Sequence, residues 1–150
     1  MIHIRAANLN DAGAICRLNR DCLGYDYALE KTQRRLADIL SAGQALVLVA
    51  ETDARVVGYI HAGPYECSYV DSLKDILSLA VDPDYRNMGA GRMLLNAVEE
   101  WAVRTGSAGV RLVSGYEREG AHRFYRSCGY TNRKDQKNFI KIFSDNIHID

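Results

Sequence analysis

The chain has little of what marks an unusual environment. It holds two prolines and 12 glycines in 150 residues, which excludes a collagen-like or Pro/Gly-rich disordered polymer. Charge of one sign is not in excess. Lys plus Arg is 19 and Asp plus Glu is 19, so there is no basic surplus of the kind proteins that track phosphate backbones carry. We expect no nucleic-acid partner. No apolar run approaches the roughly 20 residues of a membrane-spanning helix; residues 45–50 are far too few, and we expect no membrane partner. The start, Met1-Ile2-His3-Ile4-Arg5-Ala6, lacks the charged and apolar regions of a signal peptide. The four cysteines (Cys16, Cys22, Cys67, Cys128) are scattered, with no C-x-x-C pair and no His spacing that completes a zinc site. The expectation is a cytoplasmic, reduced and soluble protein with no metal.

What remains is ordinary globular material, 47% hydrophobic and 25% charged. At this length about 68–70% of the unfolded surface can be buried, so one domain over residues 1–150 needs no staple. Residues 144–150 read as a tail prone to fray.

Periodicity supplies an outline. Ile2 and Ile4 alternate with polar neighbours, as in a half-buried strand. Asn8 with Asp11 marks a helix start; Ile15, Leu18 and Cys22 follow at helical spacing, and Gly24 ends the helix. Tyr25-Asp26-Tyr27 reads as loop. Leu29, Leu36 and Leu40 mark a second helix closed near Gly43. Residues 45–50 form a buried strand that turns at Thr52-Asp53-Ala54 and returns over residues 55–61. Gly63-Pro64 reads as a break, residues 65–74 as a loop, and residues 73–81 as a long strand stopped by Asp82-Pro83. Residues 89–105 are helical, with Leu94, Val98, Trp101 and Ala102 inward. Residues 110–113 form a strand and residues 119–127 a helix capped at Gly129. Residues 139–143 alternate as a final strand. The order implies a mixed α/β sheet.

The chemically informative stretch is Val81-Asp82-Pro83-Asp84-Tyr85-Arg86-Asn87-Met88-Gly89-Ala90-Gly91-Arg92. A strand stops, a turn follows, and Arg-x-x-Gly-x-Gly leads into an amphipathic helix. The first N–H groups of a helix have no internal partners and carry partial positive charge. Gly89 and Gly91 let an anion approach the backbone, and Arg86 and Arg92 add cations. A plain strand–turn–helix connection with convenient glycines stays open beside a phosphate site. The dinucleotide fingerprint is not met, since Leu94 stands where its third glycine belongs. No Gly-Lys-Ser/Thr exists.

This stretch, together with Ala121-His122-Arg123-Phe124-Tyr125-Arg126-Ser127-Cys128-Gly129-Tyr130 downstream, resembles the paired motifs of the GNAT superfamily of acetyl-CoA-dependent N-acetyltransferases. The resemblance implies a mixed, mostly antiparallel sheet of six to seven strands with about four helices, and a splayed strand pair that forms the coenzyme groove. It implies that Leu79, Ala80 and Val81 line the pantetheine arm, that the Leu79 N–H stabilises the oxyanion, and that Arg86, Asn87, Met88, Gly89, Ala90, Gly91 and Arg92 hold the pyrophosphate. Arg118 and Arg123 are expected to reach the coenzyme. Tyr125 matches a tyrosine that protonates the departing thiolate. Acetyl-CoA is the implied co-substrate, and a small-molecule amine or a protein amine the acceptor. Homodimers through late strands such as residues 139–143 are a further implication.

Two departures matter. Leu77 stands where many relatives carry a glutamate base. Asp75 is the nearest carboxylate and would share a face with Leu77 and Leu79 unless a bulge intervenes; a solvated strand-end aspartate is the plain alternative. Glu66, Asp71, His61 and Glu117 are weaker candidates for the base. Arg118 stands where many relatives have asparagine. The missing glutamate also leaves open a non-catalytic acyl-CoA-binding sensor or interaction module. For the acceptor, Tyr27, Tyr65 and Glu66 offer aromatic and anionic contacts suited to a cationic amine.

Overall fold

The computed structural model describes residues 1–145. Those residues fall into two compact units, Met1–Val113 and the part from Ser114 onward. The first unit holds five strands: β1 (His3–Ala6), β2 (Leu46–Thr52), β3 (Arg55–Cys67), β4 (Val70–Val81) and β5 (Gly109–Leu112). They lie in one sheet in sequence order, antiparallel except for the parallel β4–β5 pair. Three helices accompany them: α1 (Ala12–Leu23), α2 (Leu29–Ala42) and α3 (Ala90–Arg104).

Local chemistry sets the helix ends. Asn8 and Asp11 form a reciprocal capping box around a 3-10 turn, Leu9–Asp11, that runs into α1. Gly24 and Gly43 close α1 and α2 in the left-handed region, at φ 76° and 71°, where a Cβ is strained. Asp11 is buried and accepts two hydrogen bonds from Arg5, whose guanidinium also holds Glu51. Burial alone would raise the Asp11 carboxyl; Arg5 and the Asn8 N–H overturn that and hold it below the usual range.

The sheet has two apolar faces. On one, Ala12, Ile15 and Leu18 of α1 and Leu36 of α2 pack on Val47, Val49, Tyr59 and Ala80. On the other lies α3, through Leu94, Leu95, Val98 and Ala102. The approach there is close at Gly58, where a Cβ would stand 3.0 Å from the Ala80 carbonyl oxygen and 3.4 Å from Leu94 Cδ1. A larger residue would push the helix away. Lys74 is buried on this side with its ammonium over the Trp101 ring.

Several expectations need correction. The break at Gly63-Pro64 and the loop over residues 65–74 are not formed: β3 continues to Cys67, and β4 begins at Val70. Pro64 is exposed within β3. The final strand over residues 139–143 is absent; residues 130–144 have no regular structure, and Phe139, Ile140, Ile142 and Phe143 are exposed. Alternation gives a ribbon two faces, but it does not by itself form a hydrogen-bonded ladder. The sheet therefore has five strands among the described residues, not six to seven. The proposed late-strand dimer surface has no strand to present. Among the described residues no helix is long and apolar enough to cross a membrane.

The unit from Ser114 onward contains α4 (Glu119–Ser127). Gly129, at φ 92°, follows it, and the Ser127 hydroxyl closes its last turn on the Phe124 carbonyl at 2.6 Å.

Candidate active site

The expected anion cradle lies where β4 ends and α3 begins. Asp82 caps a 3-10 turn, Pro83–Tyr85, by accepting from the Asp84 N–H. Arg86 then donates from Nε to the Val81 carbonyl at 3.1 Å, which ties the turn to the strand it leaves. Asn87 and Gly89 take left-handed φ values of 67° and 87°. Successive peptide groups are thereby turned into the concave arrangement that binds anions. Gly89 is the residue preceding α3, and no side chain caps that helix. A Cβ at Gly89 would meet nothing within 4 Å, so the space before the amides is open. An uncapped helix start behind an open turn fits a diphosphate.

Beside it, the β4–β5 pairing stops early. The parallel register runs only from Leu73 opposite Gly109 to Ile76 opposite Leu112. From residue 77 to 81 the outer edge of β4 has no strand partner among the described residues, which leaves unpaired backbone groups beside Leu79, Ala80 and Val81.

A β-bulge sits at the same place. His61 of β3 faces Ser78, whereas the next residue, Ala62, faces Ile76. Leu77 is the residue left over, and it is 61% exposed. Paired residues share a sheet face, so Ile60, Leu79, Ala62 and Ile76 lie together on the α3 side. His61, Ser78, Gly63 and Asp75 lie on the α1–α2 side. The expectation that Asp75 shares a face with Leu79 is overturned: the bulge reverses the alternation.

On the α1–α2 side, Asp75 Oδ1 accepts from Arg111 Nη1 at 2.7 Å. The Arg111 guanidinium also stacks on the Tyr65 ring, 4.2 Å from its centroid. Burial raises the Asp75 carboxyl above the ordinary value, against the lowering effect of Arg111. Burial likewise lowers His61, with the Arg35 charge adding to the effect, which keeps its imidazole neutral near pH 7. The Tyr59 hydroxyl donates to Asn19 Oδ1.

The other expected acceptor residues are dispersed. Glu66 follows Tyr65 on β3 and so points to the opposite face, where it is exposed and accepts from the Ser72 hydroxyl at 2.7 Å. Tyr27 lies in the α1–α2 loop, 43% exposed, with the Lys31 ammonium 5.8 Å from its ring. Sequence reasoning missed Arg111 and Gly63. The available signal was a single charge between Val110 and Leu112 in an otherwise apolar strand.

In the second unit, Tyr125 is half-buried within α4, edge-on to Phe124 and tilted against Tyr130. Burial pushes its phenol above the usual value, while the Arg118 charge pulls the other way. The hydroxyl therefore keeps its proton at neutral pH. Arg118 precedes α4, and Arg123 is exposed on it. His122 Nε2 lies 2.9 Å from the Gly115 carbonyl. Among the described residues no cluster of His, Cys, Asp and Glu is arranged to hold a metal.

Comparison with known proteins adds three findings. Residues 13–130 match the model of the Acetyltransferase (GNAT) family. The uncharacterized N-acetyltransferase MJ1207 of Methanocaldococcus jannaschii is 28% identical over 99 residues, 63% of this chain and 42% of that protein; the uncharacterized N-acetyltransferase YhfO of Bacillus subtilis is 28% identical over 135 residues, 86% and 89%. The match thus spans somewhat less than half the length of MJ1207. Among solved structures, AAC(6')-Iy in complex with the bisubstrate analog CoA-S-monomethyl-acetylneamine superposes with a TM-score of 0.82 at 18% identity, over 95% of this chain and 99% of that one.

Proposed function

Because the chain belongs to the GNAT acetyltransferase family, we propose that it moves an acetyl group from acetyl-CoA to the nitrogen of a small primary amine. The observation that carries this reading is the uncapped start of α3 behind left-handed Asn87 and Gly89, beside the unpaired edge of β4. The N–H groups of residues 87–92 hold the diphosphate, with Arg86 and Arg92 as nearby cations. The residues 79–81 edge aligns the pantetheine arm as an added strand, and the Leu79 N–H faces the thioester oxygen.

The chemistry then needs three proton and charge adjustments from the chain. The amine, with a pKa of about 10, must be neutral to attack. Asp75, its carboxyl raised by burial, takes that proton directly or through water. The nitrogen bonds to the carbonyl carbon while the Leu79 N–H steadies the oxygen. The C–S bond breaks, and Tyr125 gives its proton to the departing sulfur. The nitrogen's second proton returns to the Tyr125 phenolate and Asp75 releases the first to solvent, so the products are an amide, free coenzyme A and one proton. A half-buried phenol that stays protonated supports the Tyr125 role, as does its place in the downstream motif; Arg118 and Arg123 join the coenzyme side on the same motif. Cytoplasmic action belongs to this reading, and the four free cysteines accord with a reducing compartment.

The test is release of free thiol from acetyl-CoA across a panel of primary amines. Amine-dependent release is the expected result. Tight coenzyme binding with no release above hydrolysis would instead make the protein an acyl-CoA sensor.

A further inference from the structure

Gly63 is an unusual glycine. It is buried in β3, yet a Cβ built on it would meet nothing within 4 Å. Its φ is not left-handed, so backbone strain does not demand glycine there. Register puts it opposite Asp75, with His61 and Tyr65 two residues to either side on the same face. The space above Gly63 is thus bare, a hollow in the sense that a Cβ there would touch nothing, with ring-bearing residues two positions to either side.

Asp75 and Arg111 stand at its end as one pair, and neither is saturated. Arg111 gives Nη1 to Asp75, while its Nε is buried with no hydrogen-bond partner. A buried donor left unpaired is costly, and a cationic one calls for an oxyanion. Asp75 has a second carboxylate oxygen to offer. The pair is neutral overall, so a ligand with one positive and one negative group adds no net buried charge. A polycation would place its extra charge against the guanidinium. An amine with no acid group would leave Nε unpaired.

We propose that the acceptor is a zwitterionic amine: a primary amine carrying a carboxylate or phosphonate a few bonds from its nitrogen, seated over Gly63 with its nitrogen at Asp75 and its acid group on Arg111. This rests on the acetyl-transfer reading and names the substrate class of that site. Arg111 is then the residue that sets specificity. It selects amino-acid-like acceptors over aminoglycosides or polyamines.

The experiment compares glycine, β-alanine and 2-aminoethylphosphonate with their esters, and with putrescine and neamine, by thiol release from acetyl-CoA on the full chain. The acids should exceed their esters in kcat/KM by about 10–100-fold, the range that a charge-assisted hydrogen bond supplies. Arg111→Gln should raise KM for the acids by that factor and erase the acid–ester difference. Arg111→Lys should restore part of it. Gly63→Val fills the hollow without touching either charge; it should raise KM for every amine and leave coenzyme affinity unchanged. Esters or polyamines serving as well as acids would overturn the zwitterion proposal while acetyl transfer stands. Unchanged KM in Gly63→Val would do the same. No thiol release with any amine, despite coenzyme binding, would overturn acetyl transfer and the acceptor class with it.

Discussion

The turn after β4 and the hollow on the α1–α2 side are built from different materials. The turn works through main-chain N–H groups. It needs left-handed backbone at Asn87 and Gly89 and an uncapped helix start, and almost any side chains that permit these would serve. The hollow works through side chains: Asp75, Arg111 and Tyr65 in contact, with Gly63 bare. A backbone site can bind a common group, the diphosphate, in many proteins alike. A side-chain site is free to vary, and on the proposed reading it carries the choice of acceptor.

Each end of that contrast can be broken separately. Gly89→Asp has the largest expected effect: a carboxylate enters the space before the α3 amides, and a left-handed residue gains a Cβ. Coenzyme binding measured by calorimetry should vanish while the circular dichroism spectrum is kept. Tyr125→Phe comes next. It should cut kcat by about 10²–10⁴-fold, the usual range for a lost general acid, and leave coenzyme affinity alone; a parallel loss of affinity would count against the proton-donor role. Asp75→Asn is smaller and is read in the pH profile. The raised carboxyl must be ionised to accept a proton, so the wild-type rate falls as pH drops through its folded pKa, above the ordinary aspartate value. The variant should be slower and lack that acid limb.

The smallest effect lies outside both regions. Asp11→Ala should leave kcat and KM untouched but lower stability by about 1–3 kcal/mol, as read by urea unfolding. The folded carboxyl is held below its unfolded pKa. Its stabilisation is therefore present above the unfolded value and is lost as pH falls through the folded one. The difference between variant and wild type should accordingly shrink in acid.

The same contrast explains what could be read from residues alone. The turn was legible because the left-handed backbone at Gly89 favours glycine there. The helices were legible because Asn8, Gly24 and Gly43 mark their ends and their apolar stripes repeat. The bulge at Leu77 was not, since an extra residue in a strand leaves no composition signal. Without it, alternation put Asp75 on the wrong face and hid its pairing with Arg111, which lies 36 positions away. Tyr65 and Glu66, read together, were separated by the strand pleat. The alternation of residues 139–143 suggested a strand, but those residues pair with no strand.

The early end of β4–β5 pairing has one more consequence. A strand edge left bare over residues 77–81 is a template on which stray chains can add, the seed of aggregation. A coenzyme seated there would double as a guard. The apo protein should cloud sooner on warming than protein kept with coenzyme A, and ligand at 100 times its Kd should add about 2.7 kcal/mol to its resistance to unfolding.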